Sequence, residues 1–100
     1  MPKSTARVVT IITAFEAREL LLEELASLGL RGYSVIHVEG MGAHGEKRSG
    51  LTAAKNLAYV VVTSEVQADR LLDWVDRELL RHHPSIAYST NAAVVAASPL

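Results

Sequence analysis

Two segments of this 100-residue chain, RVVTIITA at residues 7–14 and NLAYVVVT at residues 56–63, are apolar on both sides of any strand they could form. Successive side chains of a strand point to opposite faces. Val9 and Ile11 therefore point one way while Val8 and Ile12 point the other, and Leu57, Tyr59 and Val61 oppose Ala58, Val60 and Val62. A sheet with one wet face alternates apolar and polar residues. These strands do not, so both of their faces need a cover.

The rest of the chain supplies a cover for only one. Thr13-Ala-Phe-Glu16 fits the capping-box pattern and predicts a helix over 16–28, with Leu21, Leu25 and Leu28 inward, Leu20 and Leu22 widening the stripe, and Gly29 as its left-handed stop. A second strand follows at 32–39. After the third strand, Ser64-Glu-Val-Gln67 repeats the cap and predicts a helix over 65–81, with Ala68, Leu72, Val75 and Leu79 inward and Pro84 as its limit. A fourth strand runs over 85–97, broken near Asn91. The order is β-α-β-β-α-β. Right-handed crossovers turn that order into a ferredoxin-like α+β fold, a four-stranded antiparallel sheet with two helices on one face. The other face would expose an apolar patch larger than a monomer usually keeps. The expectation is an oligomer that buries the helix-free face. The alternative is a monomer whose longest connection folds back over the sheet.

Composition bounds the function. The length fits a single domain over 1–100. Ten basic and eleven acidic residues give a net charge of −1, so no overall basic field points to nucleic acid. The chain has no cysteine, which removes disulfide and thiolate chemistry. No apolar run reaches the roughly 18 residues of a membrane span. The N-terminal segment has no small-residue cleavage motif, and the reading is a cytoplasmic protein. No nucleophile, base and orienting group can be assembled, so the chain reads as a non-enzyme.

The connection between the second and third strands, about residues 40–55, opens with GMGAHGEKRSG and holds four of the six glycines. Gly40, Gly42 and Gly45 make a G-x-G-x-x-G, but no crossover helix fits in the remaining residues, so this is not a dinucleotide fingerprint. Glycines let successive backbone N–H groups turn toward an anion. Lys47, Arg48 and Lys55 add cations, opposed by Glu46. A charge-assisted hydrogen bond to phosphate contributes roughly 1.5–3 kcal/mol. Composition alone leaves a phosphate-binding loop and a solvated loop both open.

Several stretches in order resemble the PII-like signalling proteins, most closely the bicarbonate-transport and carboxysome-associated (SbtB-like) branch. Gly29-Leu-Arg-Gly32-Tyr33-Ser34-Val35 is similar to the family's lead into its second strand. Gly40-Met-Gly42-Ala-His44-Gly45 is similar to the base of its long T-loop, Asn56 to the residue opening its third strand, and Ile86-Ala-Tyr88 to a fourth-strand segment. The resemblance implies a homotrimer with adenine nucleotide between subunits. It implies Ser34 near the base, Gly40 and Gly42 along the phosphates, Lys47 or Arg48 paired with phosphate, and Asn56 at the loop's return. It also implies that His44, Gly45 and Glu46 meet a partner such as a bicarbonate transporter or carbon-fixation protein. Ala58 and Val60 stand where many relatives carry Lys and Glu, Ser85 where they carry glycine, and the arginine-bearing tail is missing. These departures disfavour ATP with 2-oxoglutarate and favour AMP, ADP or cyclic AMP as effector, with no metal required.

Other polar residues have plainer readings beside these. His44 is either a phosphate donor or a solvated loop residue, and His37 a surface or interface histidine. His82 and His83 suit the negative end of a helix. Trp74 reads as packing. A competing architecture-sharing class, the copper-tolerance-type trimers, would lean on His37, His44, His82 and His83 for a divalent cation. A ligand-free oligomeric scaffold is the third reading.

Overall fold

The computed structural model describes residues 4–39 and 55–95. Its strands are β1 (Ser4–Ala14), β2 (Tyr33–Val38), β3 (Asn56–Thr63) and β4 (Ser85–Val94). They form one antiparallel sheet in the order β2-β3-β1-β4. The first helix, α1, spans Arg18–Ser27 behind a 3-10 turn at Phe15–Ala17. The second, α2, spans Glu65–Trp74 and continues through a π turn at Val75–Leu79 into a last turn at Leu80–His82. This is the ferredoxin-like arrangement that the element order implies.

One core holds the layers together. Val9 and Ile11 of β1, with Leu57, Tyr59 and Val61 of β3, pack against Ala17, Leu21 and Leu25 below the first helix and Ala68, Leu71, Trp74, Val75 and Leu79 of the second. Full burial of one such aliphatic side chain contributes roughly 1.5–3 kcal/mol. Trp74 is a core residue, as its sequence position suggests. Leu71 takes the central place expected for Leu72, which lies at the flank, half-buried. Trp74 and Val75 are successive yet both buried. A regular helix would set them about 100° apart. The wider π turn that starts at Val75 lets both reach the core.

The two expected capping boxes part company. Ser64 accepts from the Gln67 N–H at 3.2 Å, a cap typically contributing about 1 kcal/mol. The Gln67 side chain does not close the box; it donates to the Leu28 carbonyl and ties α2 to the end of the first helix. At the first helix the box does not form. The residue before the 3-10 turn is Ala14, with no side-chain cap. Thr13 is still in β1, buried, and donates to Ser85 Oγ at 2.8 Å, while Ser85 donates to the His83 carbonyl at 3.0 Å. Ladder pairing with β3 and β4 holds Thr13 extended, and that outweighs a local helix start. Gly29 does end the first helix, at φ 76°.

Asn91 does not break β4. It pairs with Arg7 in an uninterrupted ladder from Ser85 to Val94. Residues 96 and 97 of the expected fourth strand lie outside the described residues.

Candidate functional site

Register decides which residues share a face, because directly paired residues of an antiparallel ladder point the same way. Val9, Ile11, Leu57, Tyr59 and Val61 face the helices. Their partners on β2 are Tyr33, Val35 and His37, and on β4 Ala87 and Ser89. The opposite face therefore carries Ser34, Ile36 and Val38 of β2, Asn56, Ala58, Val60 and Val62 of β3, and Val8, Thr10 and Ile12 of β1. Ile86, Tyr88 and Thr90 of β4 complete it. In the single chain this face is uncovered: Ile36 is 52% exposed, Ile86 59% and Tyr88 49%. The greasy second face read from the strands is real.

The roots of the long connection meet at one corner of this sheet. Asn56 pairs with Ala14 on one side and Val38 on the other, so three strands converge there. The Phe15 N–H donates to the Lys55 carbonyl at 2.9 Å and fastens the loop's return to the start of the first helix. Asn56 is half-buried and sits on the helix-free face. Ser34 is exposed on the same face, opposite Val60. Ser34 and Val38 are four residues apart along β2, so Ser34 stands about 13 Å from the Val38–Asn56 pair. The structure places both polar residues on one surface but does not bring them together. Between them lie Ile36 and Ala58. This stretch of the face offers neutral hydrogen bonding and apolar contact, and no charge.

The remaining expected site residues, Gly40, Gly42, His44, Gly45, Glu46, Lys47 and Arg48, lie outside the described residues. His37 is exposed on the helix side of β2, the face opposite Ser34. His82 and His83 close the second helix. Among the described residues no group of three or more His, Asp or Glu side chains could hold a metal ion.

Sequence reading missed two features. At the far end of the sheet, Arg7 donates to Ser89 Oγ and to Glu65 Oε2, each at 3.2 Å, and joins β1, β4 and the start of α2. Beside it lies an open cleft of about 790 Å³ lined by Thr5, Ser64, Glu65 and Asn91 among others. Of the expected site residues within the described ones, neither Ser34 nor Asn56 lines it. The second feature is Tyr59, fully buried, whose hydroxyl has no hydrogen-bond partner among the described residues. Burial pushes its pKa above the usual tyrosine value, and the Arg18 charge partly opposes that. The only sequence signal was a tyrosine inside an otherwise aliphatic strand, whose O–H needs a partner once buried.

The match to known proteins fits this architecture. The model of the nitrogen regulatory protein P-II family matches residues 6–97. The chain belongs to the P-II family. Among solved structures, this P-II chain is similar to a PII-like signalling protein from Thermus thermophilus, with 32% identity and a TM-score of 0.79 over 95% of this chain and 94% of that one. It is also similar to CPII, a nitrogen regulatory PII-like protein from Thiomonas intermedia bound to ADP, AMP and bicarbonate. There the identity is 17% and the TM-score 0.79, over 95% of this chain and 98% of the other. The GlnK–ATP complex of B. subtilis matches at 20% identity and a TM-score of 0.61, over 86% and 82%. At those identities the last two share the P-II fold alone. A comparison with curated proteins gives no match. Among the described residues no helix is long and apolar enough to cross a membrane.

Proposed function

We propose that this P-II chain is a signalling protein that assembles as a homotrimer through its helix-free face and senses an adenine nucleotide in the clefts between subunits. The observation that carries the reading is that face: Ile36, Ile86 and Tyr88 are each about half exposed or more in the single chain, on a sheet whose other face packs against the helices through Val9, Ile11, Leu57, Tyr59 and Val61. Copies of the chain are its simplest cover, because a closed symmetric oligomer buries the same patch on every subunit. The face also carries Ser34 and Asn56, so a seam between subunits passes beside both. CPII, of the same fold, was captured with ADP and AMP.

In this reading Ser34 meets the base region, Gly40 and Gly42 turn backbone N–H groups to the phosphates, and Lys47 or Arg48 pairs with phosphate. Asn56 steadies the loop's return. The neutral Ala58 and Val60 favour AMP, ADP or cyclic AMP over ATP with 2-oxoglutarate. The nucleotide shifts the T-loop, about residues 40–55, only by its differential affinity for two loop states. The loop then presents His44, Gly45 and Glu46 to a partner, a bicarbonate transporter or carbon-fixation component in the SbtB-like branch. The place of action is the cytoplasm.

Calorimetry with AMP, ADP, ATP and cyclic AMP tests the reading, alongside light scattering for subunit number. The expected outcome is saturable heat with at least one nucleotide, weakened at least tenfold by Lys47→Ala with Arg48→Ala. Trimers that give no heat with any of the four would leave a scaffold and overturn sensing; monomers at working concentration would overturn the assembly itself.

A further inference from the structure

Tyr59 stands on β3 between Ile11 of β1 and Val35 of β2, on the face that the helices cover. Its side chain is fully buried and its hydroxyl has no hydrogen-bond partner among the described residues. Buried polar groups nearly always have one, and an exception calls for an explanation such as a missing guest. Two further donors lie around it. Tyr33 pairs with Val61, two residues from Tyr59, so the two phenols are diagonal neighbours on one face. Ala17 and Leu21 share a core cluster with Tyr59, which sets the start of α1 above it, and Arg18 is the first residue of that helix. Arg18 is exposed there, and its charge partly offsets the upward push that burial gives the Tyr59 pKa. The one ion pair among the described residues is Arg7 with Glu65, so Arg18 has no acidic partner among them.

We infer that Tyr59, Arg18 and Tyr33 form a binding site for a small monocarboxylate on the helix-covered side of the sheet, separate from the face that carries Ser34 and Asn56. A carboxylate accepts on both oxygens, which suits one buried phenol O–H and the planar fork of a guanidinium. Val35, paired with Tyr59, gives a short alkyl group an apolar wall. Glu16 and Glu19 flank Arg18 in sequence and are exposed around the start of the helix, so a second negative charge on the guest is disfavoured. The guest reaches the site from the edge of the sheet. Tyr33 is 38% exposed and Val35 37%, on a strand with no neighbour beyond it among the described residues.

The test is thermal unfolding of the full chain in sodium acetate against sodium chloride at equal ionic strength, with Tyr59→Phe and Arg18→Gln compared. Acetate is expected to raise the Tm of the unsubstituted protein by roughly 4–8 °C once it stands several-fold above Kd. Tyr59→Phe is expected to hold or raise the Tm in chloride, since it removes the orphaned hydroxyl, and to lose the acetate increment. Arg18→Gln should lose the increment without that gain. An absent increment overturns the site. So does one that survives Tyr59→Phe, which puts the anion elsewhere. A larger increment from inorganic phosphate overturns the carboxylate assignment.

Discussion

The two faces of the sheet are made from the same residues of β1 and β3 taken alternately, and they meet different fates. The odd-numbered side chains Val9, Ile11, Leu57, Tyr59 and Val61 are sealed under helices, while on the other side Val62 of β3 is exposed in the single chain together with its face-sharing neighbours Ile36 of β2 and Ile86 and Tyr88 of β4. Hydrophobicity alone does not distinguish them. The difference lies in what the chain supplies: two helices whose apolar stripes suffice for one face. A face that is greasy and uncovered within one subunit points to an interaction, whereas a scattered exposed leucine would not.

The sharpest break of this comparison is in the packed face. Leu21→Ala removes a fully buried side chain from the core cluster and should cost about 2–5 kcal/mol in denaturant unfolding. The same truncation at Ile86 should cost no more than about 0.5 kcal/mol if its face is wet, and several-fold more if copies cover it. Charges make the distinction cleaner. Ile36→Asp with Ile86→Asp puts two carboxylates on the helix-free face, and light scattering should then find single chains with the circular dichroism of the fold retained. Oligomers that survive this pair would show that another surface holds them.

The smallest effect is a pH dependence confined to the helix-covered face. Tyr59 is held neutral by burial, so its pKa in the folded chain lies above the ordinary value of 10.0. Below pH 10 its contribution is fully present. As pH rises from 10 through the folded value the unfolded chain gives up its proton first, so stability falls. Tyr59→Phe should flatten that limb of the stability curve in chloride, measured by urea midpoints between pH 9 and pH 11.

Much of the fold was legible because it is written in local periodicity. The bounds of β3, Asn56–Thr63, and the stop at Gly29 follow from the residues themselves. So does the Ser64 cap. Failures came where ladder pairing outweighed a local signal. Thr13 carries a helix-start pattern yet stays extended because Leu57 and Ser85 flank it in the sheet, and Asn91 stays in register opposite Arg7 despite its turn preference. The candidate site was less legible. Ser34 and Asn56 are ordinary strand residues by composition, and only the family resemblance singled them out; what makes a strand serine matter is a neighbouring molecule, on which a single chain's periodicity is silent. Tyr59 escaped for the opposite reason: its pattern is that of an ordinary core residue, and its missing partner is visible only in three dimensions.

The bond between Thr13 and Ser85 runs in one direction. Ser85 has a single hydroxyl proton and commits it to the His83 carbonyl, so toward Thr13 it can only receive. Valine at position 13 would leave that lone pair idle, and alanine at 85 would strand both the threonine proton and the carbonyl. The two positions are thus energetically linked, and the cost of changing both will be less than the sum of the single losses. At the junction where the second helix hands over to β4, what a change at one of these positions costs depends on what stands at the other.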